Sequence, residues 1–373
     1  MEIDNIVNNN LCTGCGVCIS EDDSKTAKMI WNKYGFLVPR TTVKSNQSKM
    51  IDVCPFKINQ LNEDELAIKF IEENDTIFNS KIGHHRSLYA GYSKEFRETS
   101  SSGGLATFVF EKLLLKNFVQ SLFVVVEYGD IYAFRLVSEI SDITEISKTR
   151  YIPVTLENLF TMIDEIDGKV AVSGVACFVK AIRLKQNKDP KLKEKIPFVV
   201  GIICGGLKSK HYTEFLVQSS GCYSDSTSVE YRVKNKDSHA LDYKFSCKEK
   251  KNNRIHMVEM QKLGDMWGSG LFKSNACDYC DDVVTELADI SLGDAWLDPY
   301  KQDGSGNSII ITRSVLADEI IKEGIKTGEL SLDLLSLDTL LQSQQGSFNH
   351  RHKGLLFRIK NAKQEGELYQ IKR

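Results

Sequence analysis

Lys169-Val-Ala-Val-Ser-Gly174 and Phe198-Val-Val-Gly-Ile-Ile-Cys204 are the two stretches on which the fold turns. Each is a short, β-branched, apolar run that closes on small residues, the pattern of a strand buried on both faces. The basic stretch Cys177 to Lys188 between them has helical character. Gly205-Gly206 and a helical segment near His211 to Gln218 follow the second run. Strand and helix alternating in this way predict a parallel sheet, in which the carboxyl ends of neighbouring strands share one ligand-binding crevice. Cys177 and Cys204 stand just beyond two such ends.

Working outward, a helix is expected over Leu105 to Phe118, paired strands over Leu122 to Val126 and Ile131 to Val137, and a helix near Leu156 to Ile166. Strand-like segments recur at Ser228 to Val233, Asp289 to Leu292 and Ser308 to Thr312, and helices at Val315 to Gly324 and Leu335 to Gln342. The fold class is therefore mixed α/β (α+β), a small ferredoxin-like, cysteine-bearing unit followed by a larger α/β domain. The expected boundaries are 1–78 for the small unit, 79–345 for the main domain and 346–373 for a basic C-terminal tail. The small unit holds a cysteine loop, the strand Phe36-Leu37-Val38, a Cys-Pro and a helix through Asp64 to Asn74. A unit so short has little core, and a metal centre would supply what packing cannot. Residues 80 to 98 read as a connection.

The 373 residues are 42% apolar and 26% charged, which excludes collagen-like, disordered and low-complexity architectures. Lys and Arg number 48 against 50 Asp and Glu, a net charge of −2, so no overall field draws the chain to nucleic acid. The longest apolar runs fall well short of the ~18 residues of a membrane span. The amino end has neither a basic flank nor an apolar run, so a cytoplasmic protein is expected. There is no internal repeat. G-x-S-x-G, Walker A, H-E-x-x-H and G-x-G-x-x-G are all absent, and with them the usual entry points of hydrolases and kinases. His84 and His85 lack ligand spacing and are read as surface residues.

Ten cysteines in such a chain favour metal ligands or catalysts over disulfides. Cys12, Cys15 and Cys18 form C-x-x-C-x-x-C among small residues, and Cys54 is followed by Pro55. Three thiolates spaced by three, with glycines that let backbone approach inorganic sulfide, suit a cubane cluster. The bacterial ferredoxin run places its fourth cysteine in a Cys-Pro, and Cys54 supplies one here. The four would hold one 4Fe–4S cluster, whereas zinc sites usually show paired knuckles. Downstream, Cys277-Asp-Tyr-Cys280 has local ligand spacing and could complete a second set with Cys177 and Cys204. Those two read equally well as buried small apolar residues. Cys222 and Cys247 read as ordinary thiols or a redox-active pair.

Thr99-Ser-Ser-Ser-Gly-Gly104 directly precedes an amphipathic helix. Serine hydroxyls and glycine N–H groups at a helix start make either an anion site or a plain N-cap and turn. Beside iron–sulfur ligands the first choice suggests a dinucleotide cofactor. Gly293-Asp294-Ala295-Trp296 puts a carboxylate and an indole at a strand end, and Lys148 and Tyr151 lie in a loop before Pro153. The basic runs Lys180 to Lys195 and Arg351 to Arg373 read as solvated faces or as docks for an acidic redox partner.

Together these residues resemble the coenzyme F-420 hydrogenase/dehydrogenase beta-subunit family over nearly the whole chain. The marks are Cys12-Thr-Gly-Cys-Gly-Val-Cys18 with Cys54-Pro55, Ser101-Ser-Gly-Gly104, Ser173-Gly-Val-Ala-Cys177, Cys204-Gly-Gly-Leu-Lys-Ser209, Cys277-Asp-Tyr-Cys280 and Asp289-Ile-Ser-Leu-Gly-Asp294. The resemblance implies a flavin-binding main domain and an FAD- and iron–sulfur-dependent oxidoreductase. Electrons would pass from a ferredoxin or other acidic carrier, through 4Fe–4S clusters, to FAD and a small-molecule two-electron acceptor. It implies that Ser101, Ser102, Gly103 and Gly104 bind FAD, with Lys148, Tyr151, Ser173, Gly174 and Asp294 as further cofactor contacts. Cys177, Cys204, Cys277 and Cys280 would hold the second cluster. The family's Gly-Thr-Pro-Cys-Gln turn is here Gly174-Val-Ala-Cys177-Phe178, and Cys-Gly-Gly-Leu-Lys-Ser is closer to bacterial members linked with surface polysaccharide synthesis. A sugar or polysaccharide precursor is the acceptor this suggests. The alternatives are reduced deazaflavin (F-420) as substrate, or a non-catalytic relay protein within a larger complex. A homo-oligomer fits either scheme.

Overall fold

A computed structural model describes residues 1–71, 75–129 and 131–366. The amino-terminal unit runs α1 (Ile3–Asn8), β1 (Lys28–Trp31), β2 (Leu37–Arg40), α2 (Gln47–Met50) and α3 (Glu63–Phe70). β1 and β2 form an antiparallel ribbon. α3 opens on a capping box, in which Asn62 Oδ1 accepts from Glu65 N–H at 2.9 Å and Glu65 Oε2 accepts from Asn62 N–H at 2.8 Å. The expected extension of this helix to Asn74 lies outside the described residues. β3 (Ile77–Asn79) and β4 (Gly83–His85) form a hairpin. His85 is buried there, 5% exposed, which corrects its reading as a surface residue.

The main body is built on β5 (Ser87–Ser93), α4 (Leu105–Leu115), β6 (Ser121–Tyr128), β7 (Ile131–Val137), α5 (Glu157–Met162), β8 (Val170–Val175), α6 (Ala176–Lys188), α7 (Lys191–Lys195) and β9 (Phe198–Ile202). A smaller layer of α8 (Lys210–Ser219), β10 (Ser226–Lys234), β11 (Tyr243–Glu249) and β12 (Ile255–Glu259) follows. The chain returns through β13 (Ile290–Asp294), β14 (Ser308–Thr312), α9 (Val315–Lys326) and β15 (Leu330–Leu334). Eight strands make one mixed sheet in the order β15-β5-β14-β13-β9-β8-β6-β7. β13, β9, β8 and β6 are mutually parallel, and the pairs outside them are antiparallel.

Alternation along the central strands divides the core. Val170, Val172 and Val199 face one apolar cluster with Leu159, Val179 and Ile182, whereas Ala171, Phe198 and Val200 face another with Phe108 and Ile320. Helices therefore cover both faces of the parallel strands. The first cluster also takes in Ile6, Leu11, Val53 and Phe56, so the cysteine-bearing unit shares its core with the main sheet. β5 falls in the stretch read as a connection. Gly91 and flanking serines mask its strand signal, yet it pairs with β14 and β15.

α10 (Leu337–Ser343), α11 (Gln345–Phe348), a π-helical turn over Asn349–Lys353 and α12 (Gly354–Glu365) complete the described chain. Leu355, Ile359 and Ala362 of α12 are core residues. The basic run from Lys180 faces inward at its start and is solvated at its end, where Lys188, Lys191 and Lys193 are exposed. Lys180 pairs with Glu63 at 3.1 Å, both 1% exposed, and buried Arg183 pairs with Asp289 at 2.9 Å. Periodicity alone does not reveal such inward cations, because their partners come from α3 and the approach to β13.

Candidate functional site

The first thiol set is shaped by glycine. Gly14 and Gly16 hold φ of +75° and +77°, and a Cβ on Gly16 would lie 1.9 Å from Thr155 Oγ1 and 2.9 Å from Glu157 N. The tight loop that results brings Cys12, Cys15, Cys18 and the remote Cys54 around one small recess, closed by Met29 and Phe56. Gly14 N–H points at Cys12 Sγ, 3.4 Å away. Burial pushes the Cys12 thiol up to about 12, with Cys15 adding to the rise, and burial pushes Cys15 up to about 11. Four mutually facing thiols in an apolar recess fit a cationic polynuclear centre, which alone would make them thiolates together. A lone tetrahedral zinc needs its sulfurs about 4 Å apart. A cubane takes each thiolate on a different iron, which the C-x-x-C-x-x-C loop with a remote Cys-Pro suits.

The second set gathers at the carboxyl ends of the parallel strands. Cys204 lies two residues beyond β9, and Cys277 and Cys280 bracket the end of the 3₁₀ turn Asn275–Tyr279. Gly206 N–H donates to Cys204 Sγ at 3.3 Å and Leu207 N–H to Cys277 Sγ at 3.2 Å. Arg351 donates to Cys280 Sγ at 3.3 Å. Burial, then the neighbouring Cys204, raises the Cys277 thiol to about 12. Cys177 is the second residue of α6 and 6% exposed, in the same apolar cluster as Tyr279 and Leu207. Val175 and Ile202 are in register across β8 and β9, so Cys177 and Cys204 each stand two residues past one paired position. Cys222 and Cys247 are also buried, at 1% exposure each, in the separate core of α8 and β10 to β12.

A cavity of about 360 Å³ lies between the two sets. Thr13 and Leu37, beside the first cysteine loop, and Cys204 with Gly205, from the second, are all part of its wall. Its floor is the carboxyl ends of β8, β9 and β13, including Ser173, Gly174 and Asp294. The serine loop and the amino end of α4 close one side, and Lys148 to Val154 another. Ser101, Ser102, Gly104, Lys148 and Tyr151 line the cavity; Gly103 does not. A Cβ on Gly103 would lie 2.6 Å from Gly91 O, and its N–H donates to Ser308 Oγ at 3.2 Å, so this glycine seats the loop on the sheet. Ser101 Oγ accepts from Thr149 N–H at 3.0 Å, and Ser102 Oγ donates to Asn307 O at 2.9 Å. Ser100 Oγ is buried without a partner among the described residues.

Cations ring the cavity. Arg232 grips both oxygens of Asp294 at 2.9 and 2.8 Å and leaves its Nε buried and unpartnered. Burial opposes the Arg232 charge, but Asp294 outweighs it and the guanidinium stays charged. Asp294 is thus half of an ion pair rather than a free acid. Arg150 stacks 4.7 Å from the Tyr132 ring, and its Nε likewise lacks a partner. Lys148 pairs with Glu230 at 2.5 Å. Lys208 gives hydrogen bonds of 2.7 Å to Met266 O and Leu271 O and lies 4.6 Å from the Trp267 ring; burial, then Lys273, lowers it to about 8. Tyr151 packs edge-on to Trp267 and Tyr231, at 4.9 and 5.4 Å. Two guanidinium groups at the wall, the serine loop and an aromatic wall fit a large anionic aromatic cofactor such as FAD. Arg150, Arg232, Lys208 and Trp267 were not singled out by sequence reading, because each owes its place to a partner far along the chain.

No curated protein matches this sequence. A solved structure described as the xenon derivatization of the F420-reducing [NiFe] hydrogenase complex from Methanosarcina barkeri has a chain of similar fold. Its TM-score is 0.58 at 19% identity, covering 79% of this chain and 98% of that one. No helix among the described residues is long and apolar enough to cross a membrane. The matched family model spans residues 167–336, and so Cys177, Cys204, Cys277 and Cys280 but neither the first thiol set nor Arg351. Over those residues the chain is similar to the family described as the carboxyl-terminal part of the coenzyme F420 hydrogenase/dehydrogenase beta subunit.

Proposed function

We propose that the chain is an iron–sulfur flavoprotein oxidoreductase that takes single electrons from a ferredoxin-like carrier and delivers them in pairs to a small-molecule acceptor. The carrying observation is that one cation-ringed cavity reaches the loop of the first thiol set at Thr13 and a thiol of the second, Cys204. Cys12, Cys15, Cys18 and Cys54 would hold one 4Fe–4S cluster, and Cys177, Cys204, Cys277 and Cys280 a second. FAD, when bound, would supply the junction between one-electron carriers and two-electron acceptors. The chain's own part is placement. Arg150 and Arg232 at the cavity wall would attract its phosphates, the amino end of α4 would add its dipole, and Asp294 holds Arg232 in line. Trp267 and Tyr151 exclude water from one wall. The acceptor we put forward is an anionic sugar or polysaccharide precursor, which Lys148 and Lys208 at the cavity wall would attract.

A reduced one-electron donor, mixed anaerobically with the flavin-loaded chain, is expected to bleach the flavin completely, and Cys15→Ser or Cys204→Ser to slow that bleaching at least tenfold. Undiminished bleaching in both variants overturns the reading. A second reading, a relay protein whose partner binds the acceptor, draws support from Leu356 and Phe357. They are 73% and 66% exposed on α12, which packs on the turn carrying Cys277. Turnover of a sugar nucleotide by the isolated chain would exclude it.

A further inference from the structure

We propose that Arg351 is the built-in counter-cation of the second thiol set, positioning its cysteine turn and raising the reduction potential of the cluster held there. The inference rests on the reading of Cys177, Cys204, Cys277 and Cys280 as cluster ligands.

Arg351 sits in the π-helical turn Asn349–Lys353 and is 2% exposed. π-Turns are uncommon and concentrate at functional sites. Its Nη1 donates to Cys280 Sγ at 3.3 Å and to Asp282 O at 2.8 Å, and its Nη2 to Cys204 O at 2.7 Å. These acceptors are a sulfur and two carbonyls. Among the described residues no carboxylate forms an ion pair with it, in contrast to the buried Lys180, Arg183 and Arg232. A guanidinium does not shed its proton to escape burial, so negative charge beside it is favoured, although the hydrogen bonds of the fully buried Arg313 go to carbonyls and Ser291. The acidic groups facing it are Cys280, Cys204 and Cys277, while the basic His350 and Arg358 also lie close to it. Bound to a cubane they are thiolates, and the ligated cluster is anionic in both oxidation states and more so when reduced. A fixed cation at contact distance therefore favours the reduced form, and N–H donors on the ligand sulfurs act in the same direction.

The neighbouring contacts give Arg351 a rigid mount. His352 Nε2 meets Asp281 O at 2.9 Å, and Arg358 donates to Asp278 O at 2.8 Å and to His350 O at 2.7 Å. Carbonyls at 278, 281 and 282 are thus clasped by one C-terminal segment, which lies beyond the residues of the family match. A stretch that reads as a loose basic tail provides the charge the cysteine turn lacks.

The test is an anaerobic redox titration of the full reconstituted chain followed by electron paramagnetic resonance, with Cys15→Ser as the background that leaves only the second cluster's signal. R351Q on that background is expected to lower the midpoint by at least a factor of ten in the one-electron equilibrium, or 59 mV. R351K, which keeps the charge, is expected to stay within half of that shift. In the otherwise unmodified chain, R351Q should leave the first cluster's midpoint unchanged. An unmoved midpoint in R351Q with iron retained overturns the inference, as does an equal shift of both clusters. Should R351Q not hold the second cluster, R351K decides: iron and midpoint near those of the parent support the inference, and loss of iron there too refutes a role through charge. A parent protein whose iron content is indifferent to Cys204→Ser instead overturns the cluster reading, and the inference with it.

Discussion

Substituting Gly16 with alanine should disable the amino-terminal thiol loop without touching a thiol. Gly16 holds φ at +77°, a conformation that costs an L-residue roughly 1–2 kcal/mol. The added methyl meets Thr155 Oγ1 at 1.9 Å, which can swing away, and Glu157 N at 2.9 Å, which cannot without moving α5. Overpacking of this kind costs about 1–3 kcal/mol. Displacing α5 also stretches the bond from Leu156 N–H to Cys15 O, 2.9 Å long and worth about 1 kcal/mol net. Together G16A should weaken the loop by about 3–6 kcal/mol. The assay is iron per chain after anaerobic isolation, with a urea midpoint measured alongside. G16A is expected to lose the first cluster's iron and to unfold earlier. The double variant G16A/T155A relieves the hydroxyl clash alone and should recover only part of the loss. Full iron and an unshifted midpoint in G16A would refute the reasoning.

Three further outcomes follow from the geometry. Lys180→Met leaves Glu63 buried at 1% exposure, and should cost about 3–5 kcal/mol in urea unfolding, most of it restored by adding Glu63→Gln. Arg232→Met removes a cavity cation and strands Asp294, so flavin retention, read by ultrafiltration, should fall at least tenfold, about 1.4 kcal/mol. Burial raises the Asp22 carboxyl, but bonds from Ser24, Ala27 N–H and Asn46 outweigh it and hold the group at about 2. Because the folded value lies below the unfolded one, near 4, the contribution of about 2 kcal/mol is present above pH 4 and lost as pH falls to 2. Asp22→Asn should flatten stability across that window, as followed by circular dichroism.

The strands at Val170 and Phe198 were legible because a buried parallel strand leaves a continuous apolar run, and the helices after them because amphipathic spacing survives burial of one face. The first thiol set was legible from spacing, since three of its members are local and the fourth carries its proline. β5 was not, because Gly91 and its serines suit a strand only where β14 and β15 supply both neighbours. Lys180, Arg183 and Arg351 illustrate the wider difficulty. A basic run looks solvated until the carboxylates and carbonyls that turn it inward are in place, and those come from elements far away in sequence. The cavity was expected at the carboxyl ends of the strands, yet its cations at 150, 208 and 232 emerge only from the packing of the 148–154 loop, the turn after β9 and β10 around it.

Iron, sulfide and flavin counted per chain after anaerobic preparation test the central claim most directly. About eight irons and one flavin are expected, with about four irons lost in Cys15→Ser and about four in Cys204→Ser. A colourless chain, or iron that survives both substitutions, would contradict it.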